Sequence, residues 1–320
     1  GNSTARWMWT FTPLAVRVSS LTAVASCDFI NNFVEGNGAS ADNNLNSGVF
    51  IALGAVANIA CTNNVIRNEK FDALSVTGGA LATKASRILL AHNVVEGSAT
   101  GMTLAVGAAN LSVQGNVLRG TGGTTSNIGI RVSNCQGILI QGNTVERYGR
   151  GVSLDAVGCR EVFIHGNNIV DCDQQGIYAG PAAMNGISIQ GNTIRDSGVS
   201  AGSVNSLAIY LEGTMTSCTI QGNHIARTRG NAVLLQAYVR GLVSGNTFID
   251  NFDQAAGGRG RAIFVRGTSA DVRVTQNYIT NPGVTNNVVQ IDIEATCTGV
   301  LVAENFAQGT ATNLYVAASG

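Results

Sequence analysis

An asparagine followed two positions later by an aliphatic or aromatic residue recurs along the chain, at Asn32, Asn64, Asn93, Asn116, Asn143, Asn167, Asn192, Asn223, Asn246, Asn277 and Asn305. The clearest copies read GISIQGNTIRDSG at 186–198, GILIQGNTVERYG at 137–149 and SCTIQGNHIARTR at 217–229. Successive intervals are 32, 29, 23, 27, 24, 25, 31, 23, 31 and 28 residues. None is shorter than 23 and the surplus varies, which is how a fixed structural unit behaves when it accepts insertions between copies. A length of 320 residues suggests about two domains, but a repeat over most of the chain overrides that count.

The apolar register around each asparagine has period two. Five and three residues before it stand Leu111/Val113, Ile138/Ile140, Val162/Ile164, Ile187/Ile189 and Val272/Val274. Two residues after it stand Ile66, Val95, Leu118, Val145, Ile169, Ile194, Ile225, Phe248 and Ile279. Alternation of this kind marks strands with one buried face. A further short strand precedes each pair, as in LSV (74–76), MTL (102–104), IRV (130–132), VSL (152–154), IYL (209–211) and IFV (263–265). Three short strands per turn of about 23 residues predict an all-β fold, a parallel β-helix whose turns stack roughly 4.8 Å apart. About eleven turns are expected, one per asparagine. Like residues then lie on like, and the asparagines form a ladder in which each amide bonds to the turns above and below. The glycines just before them (Gly115, Gly142, Gly166, Gly191, Gly222, Gly245) are expected to take positive φ at the bend.

Composition narrows the alternatives. Gly is 40 of 320 residues and Pro only 3, which excludes collagen. A hydrophobic content of 45% excludes a disordered chain. Nineteen basic and nineteen acidic residues cancel, leaving no basic stripe for nucleic acid and no bias toward a strongly polyanionic substrate. No stretch approaches about 18 consecutive apolar residues, so no membrane span is expected.

The seven cysteines read as core rather than as disulfide or metal ligands. Cys27 and Cys218 lie five before their asparagine and Cys61 three before, all inward positions. Cys135, Cys159 and Cys297 lie eight before, in a column shared with Met184 and Met215. His92, His165 and His224 fall on different turns, so no metal site and no cofactor are expected.

The I-x-I-Q-G-N-x-I pattern resembles the right-handed parallel β-helix of the pectin-lyase-like superfamily, over about residues 21–310. That superfamily includes pectate lyases, polygalacturonases, alginate lyases and epimerases, and phage tailspike depolymerases. The polygalacturonase-like Asp-Asp pair, the pectate-lyase calcium carboxylates and the epimerase-like Asp-Pro motif have no counterpart here, so no family's catalytic residues transfer. The resemblance implies a substrate cleft floored by the first strand of each turn and bordered by loops at the corner before it. The long insertions 36–47, 119–127, 197–206, 251–261 and 281–287 all fall at that corner.

Two outward columns make the expected floor. One runs Phe50, Ser75, Thr103, Arg131, Ser153, Tyr178, Tyr210, Leu234, Phe264, and the other Ala52, Thr77, Ala105, Ser133, Asp155, Gly180, Glu212, Gln236, Arg266. Asp155 and Glu212 are the candidate catalytic pair. Two turns separate their backbones by roughly 10 Å, and carboxylates about 6.5–9.5 Å apart suit inverting glycoside hydrolysis. Asp292 and Glu294 form a second acidic cluster. Arg131, Tyr178, Tyr210, Gln236, Phe264 and Arg266 are the candidate substrate-binding residues, with the Tyr rings as sugar platforms and the Arg side chains as partners for acidic groups. Arg131, Tyr178, Tyr210 and Arg266 equally suit a lyase base and its uronate clamp.

The reading is a polysaccharide hydrolase or lyase, extracellular or virion-associated and of tailspike type. The resemblance implies a homotrimer, for which Phe50, Leu234 and Phe264 offer interface contacts. The alternative is a non-catalytic structural or adhesive rod that binds glycan or protein. Residues 1–20 are expected to be an N-terminal cap or the cut edge of a longer chain, with Trp7, Trp9 and Phe11 as capping side chains, and 21–320 the β-helix.

Overall fold

The computed structural model describes residues 16–19, 27–36, 48–52, 57–77, 85–105, 107–122, 126–155, 158–198, 207–251, 261–281, 289–309 and 313–317. Among them every regular element is a strand. The strands form three sheets of twelve, twelve and eleven members, visited in rotation, so that the chain is a three-sided parallel solenoid. The first sheet runs from Val16–Ser19 to Asn313–Ala317, the second from Cys27–Ile30 to Leu301–Ala303, and the third from Phe33–Glu35 to Phe306–Gly309. Val16–Ser19 pairs with Val49–Ala52, so the first sheet starts inside the segment 1–20, expected from the sequence to be a cap or the cut edge of a longer chain. Trp7, Trp9 and Phe11 lie outside the described residues, as do the Cys27 and Phe50 side chains.

The register carries like onto like. Leu111, Ile138, Val162 and Ile187 are successive partners in the second sheet, and Leu118, Val145, Ile169 and Ile194 in the third. These residues are buried in one continuous core with Cys61, Cys135, Cys159, Cys172, Cys218, Met184 and Met215. Cys297 is half-buried, and Cys172, five residues after Asn167, is a core position that the sequence reading passed over. Burial pushes the Cys135 thiol up to about 12 and Cys218 to about 11, so both stay protonated.

One regularity breaks strict alternation. In the first sheet the residue before the first inward aliphatic of each strand also faces inward. A Cβ on Gly151 would meet Ile169 Cγ2 and the Gly176 carbonyl, both at 2.5 Å, and one on Gly129 would meet Val145 Cγ1 at 2.3 Å. The column holds Gly or Ala on most turns, among them Ala73, Gly101, Gly129, Gly151, Gly176, Ala208, Ala232 and Ala262, while Gln290 occupies it on the turn after Ala262. The residue before it, including Arg150, turns out onto the face that period two alone would deny it.

The asparagine ladder forms as expected. Asn143 donates its backbone N–H (3.0 Å) and its side-chain amide (2.9 Å) to Asn167 Oδ1. Asn167 repeats this to Asn192 Oδ1, and its second amide hydrogen goes to the Ile140 carbonyl at 2.9 Å. All six glycines before ladder asparagines take positive φ, as expected. A Cβ on Gly142 would meet no atom within 4 Å, so Gly142→Ala is expected to cost only the left-handed backbone penalty, about 1–2 kcal/mol. Gly115→Ala is expected to cost more, because its Cβ would lie 2.7 Å from His92 Nδ1. Guanidinium denaturation of the two variants checks the order.

Candidate functional site

The outer face of the first sheet carries the residues singled out from the sequence, and the register places them as expected. Arg131, Ser153, Tyr178, Tyr210, Leu234 and Phe264 are cross-strand partners in sequence. Gln236 pairs with Arg266, and Phe264 with Asp292.

Asp155 lies at the centre of one cluster. Arg131 Nε forms an ion pair with its Oδ2 at 3.1 Å, Arg150 Nη1 stands 3.7 Å from Oδ1, and the Ser153 hydroxyl donates to Oδ1. The Asp155 side chain is 20% exposed and Arg131 48%, so the pair borders solvent. Arg150 also donates to Gln175 Oε1 at 2.9 Å and lies flat over the Tyr178 ring, 4.0 Å from its centroid. The Tyr178 hydroxyl in turn donates to Glu212 Oε2 at 2.9 Å. Arg150 and Tyr178 thus link the two carboxylates. Between Asp155 and Glu212 on their column is the buried Gly180, where the atoms nearest an added Cβ would be the Leu154 carbonyl and the Tyr178 side chain at 3.5–3.6 Å. The rung between the carboxylates carries no side chain.

The aromatic residues differ from the expectation. Tyr178 is 8% and Tyr210 5% exposed, and they pack with Leu207, Leu234 and Phe264 as a second small core, ring centroids 5.6 Å apart. Neither ring presents an open face to a sugar. Leu234 is buried and Phe264 half-buried, so neither is an exposed interface contact. Burial is the main cause that pushes both tyrosine hydroxyls above their ordinary range, and the neighbouring Glu212 adds to it. The exposed large apolar side chains lie elsewhere, among them Leu89, Phe163 and Leu301 on the second sheet and Phe33, Tyr278 and Phe306 on the third.

At the C-terminal end of the face, Gln236 Oε1 accepts from Tyr210 O–H at 3.3 Å and from Arg266 Nε and Nη2 at 3.1 and 2.6 Å. Arg261 stacks over Phe264 at 4.1 Å and pairs with Asp292. Glu294 Oε2 accepts the Gly267 N–H, so Asp292 and Glu294 are separately engaged and do not act as one cluster.

Sequence reasoning missed Arg150 and Asp72. The Gly/Ala column is the signal that finds Arg150. Asp72 neighbours Thr100 and, diagonally, Thr103 on the next strand. Burial pushes its carboxyl above the ordinary range, opposed by Thr103 and the Arg131 charge. A raised folded-state pKa means that the protonated form stabilises the fold below the unfolded value and that this stability is lost as pH rises through the folded one. Asp72→Asn is therefore expected to raise the melting temperature above that pH and to change it little at about pH 3. Paired thermal melts across the range check it, and a gain that does not grow with pH contradicts it.

The three-sided coil, its asparagine ladder and its polar first-sheet face define a right-handed parallel β-helix of the pectin-lyase-like kind. The family model described as periplasmic copper-binding protein (NosD) matches residues 63–288, and the chain belongs to that family. No curated protein sequence matches it significantly. Among solved structures it is similar to the surface protein and adhesin PfbA of Streptococcus pneumoniae (11% identity, TM-score 0.63, covering 93% of this chain and 88% of that one). It is similar to the N-terminal fragment of bacteriophage Phi29 gene product 12 (10% identity, TM-score 0.68, 92% and 55%). It is also similar to the endo-xylogalacturonan hydrolase of Aspergillus tubingensis (10% identity, TM-score 0.52, 96% and 87%). At these identities the likeness is one of fold.

The family description raises copper, and the donors here do not fit it. Cu(I) takes thiolate and thioether sulfur, and Cu(II) imidazole. The described cysteines other than Cys297 are core thiols, and the Cys135 Sγ–H donates to the Ser133 carbonyl at 3.2 Å. Thiols kept protonated by burial resist metal binding, which requires the thiolate. His165 bonds Ser188 Oγ at 2.9 Å on the outer second-sheet face, and no three of His, Cys, Asp and Glu converge among the described residues.

Proposed function

We propose that the first-sheet face binds an extended polysaccharide and hydrolyses it, with Asp155 and Glu212 as the reacting carboxyls. The observation that carries this is the Asp155–Gly180–Glu212 column: two carboxylates on alternate rungs, with a rung between them that carries no side chain of its own. Two strand spacings, roughly 10 Å between backbones, leave room for a glycosidic bond and a water. One carboxyl protonates the leaving oxygen while the other takes a proton from the attacking water, which inverts the anomeric centre. Lyase chemistry has less support, because the Tyr178 and Tyr210 hydroxyls are buried, engaged and harder to ionise than ordinary tyrosines, and Arg131 is committed to Asp155.

Arg131, Gln236 and Arg266 are the polar substrate contacts in this reading. Tyr178, Tyr210 and Phe264 support the floor from beneath. Among the described residues no helix is long and apolar enough to cross a membrane. The family's periplasmic description and the likeness to a surface adhesin and a phage protein support a site of action outside the cytoplasm. A homotrimer is part of the same proposal, checked by light scattering.

A second reading, a non-catalytic rod that binds glycan or protein, is favoured by the engagement of Asp155 with Arg131, Arg150 and Ser153 and by the likeness to PfbA. A glycan panel separates the readings. Reducing ends without ultraviolet-absorbing unsaturation mark a hydrolase, unsaturation marks a lyase, and binding with neither marks the rod.

A further inference from the structure

Among the described residues the arginines on the first-sheet face are paired with carboxylates, with one exception. Arg131 and Arg150 share Asp155, and Arg261 meets Asp292. Arg266 is the exception: among the described residues it forms no ion pair, and its hydrogen-bond acceptor is the neutral Gln236 amide. Glu294, on the next strand, turns its Oε2 to the Gly267 N–H at 2.6 Å and to Thr296 Oγ1.

The geometry around that amide oxygen is unusual. Gln236 Oε1 receives three donors, the Tyr210 hydroxyl and two N–H groups of one guanidinium fork. A carbonyl oxygen has two lone pairs, whereas a carboxylate offers about four acceptor sites to a guanidinium. A neutral side-chain oxygen therefore stands where an anionic oxygen would be held more strongly by the half-buried Arg266. The Arg266 guanidinium, 6.0 Å from the Phe264 ring centroid, presents a planar fork that matches a carboxylate.

We infer that Arg266 and Gln236 form a subsite for one anionic substituent, a carboxylate, sulfate or phosphate carried by the glycan. This rests on the polysaccharide reading above and names its substrate class: a heteropolysaccharide whose acidic groups are spaced apart. A chain acidic at every sugar fits poorly, because it sets negative groups beside Asp155, Glu212 and Asp292, which the protein's own arginines do not fully offset. Arg266 lies three strands from Gly180, roughly 14 Å along the axis. The acidic group is therefore remote from the bond that breaks, and its role is to fix the register of the chain on the rod. When it binds, the substrate anion takes the guanidinium fork and Gln236 swings aside.

The test is affinity electrophoresis of the intact protein through gels containing hyaluronan, xanthan, polygalacturonate or neutral dextran, each acidic glycan also in carboxyl-reduced form. Retardation by hyaluronan or xanthan is expected to exceed that by polygalacturonate and dextran, and to fall by about tenfold on carboxyl reduction. Arg266→Gln is expected to lower it equally, with no further loss on the reduced glycan. Gln236→Glu, which supplies an internal counter-ion and preserves the fold, is expected to do the same. Circular dichroism confirms that each variant is folded. Retardation unchanged in folded Gln236→Glu overturns the subsite. So does equal retardation by the carboxyl-reduced glycan, tighter binding of polygalacturonate, or no retardation by any acidic glycan. Because the readout is binding, it is independent of cleavage. Arg266-dependent retention without hydrolysis keeps the subsite and removes the hydrolase, while hydrolysis of neutral glycans with no Arg266 dependence does the reverse.

Discussion

Asn167→Ala is expected to destabilise the protein by about 3–6 kcal/mol, measured by guanidinium denaturation. The substitution removes one buried amide and breaks up three buried hydrogen-bonding groups. The Asn143 backbone N–H loses its acceptor, the Asn143 side-chain amide keeps only the Val113 carbonyl, and the Ile140 carbonyl loses a donor. Asn192 Oδ1 also loses one of its two donors. Each buried polar group left unpaired costs about 1–3 kcal/mol, against a total stability of about 5–15 kcal/mol for an ordinary domain. Water has no ready access, since Asn167 is buried between two equally buried rungs. The same change at Asn305 provides the contrast. That residue is half-buried, so water can replace what it loses, and a cost of about 1–2 kcal/mol is expected. Equal losses at the two positions contradict the view that the ladder stabilises through burial. Asn167→Asp is expected to be worse than alanine, because it removes both donors and buries a charge.

Glu212→Gln and Asp155→Asn are each expected to lower polysaccharide turnover by roughly 10²–10⁴-fold, the usual contribution of a general acid or base. Both amides nearly preserve shape. Glutamine at 212 still accepts the Tyr178 hydroxyl, so that hydrogen bond survives while the proton-transfer role is lost. Asparagine at 155 weakens the contacts to Arg131 and Arg150, but ion pairs that border solvent are worth about 1 kcal/mol or less, so the fold is expected to hold. Asp196→Asn is a matched control. It breaks an exposed pair with Arg227 beside the third sheet, which takes no part in the proposed chemistry, and leaves turnover as it was. Reducing-end release at saturating glycan, with thermal melts alongside, gives both readings. Full activity in both carboxyl variants removes the pair from the mechanism and leaves the rod as the better account.

The two predictions draw on different kinds of information. Asn167, its ladder partners and the aliphatic columns were identifiable from spacing, because each turn contacts chiefly its neighbours and the core is a stack of one repeated cross-section. The same arithmetic placed Asp155 and Glu212 on one outward column with Gly180 between. It failed where a local rule slipped by one residue. The Gly151 position turns inward beside Val152, and so Arg150 reaches the outer face, stacks on Tyr178 and meets Asp155.

A one-dimensional repeat fixes rung and side, because strand pairing and alternation are backbone properties. In this chain that determined the solenoid, its three sheets, the ladder and the content of the core. Only the tertiary structure decided that Tyr178 and Tyr210 are a closed pair, that Leu234 is buried, and that Arg266 faces an amide while its neighbours face carboxylates. Those outcomes depend on side-chain rotamers and on competition among several strands for the same partner, and periodicity carries no record of either.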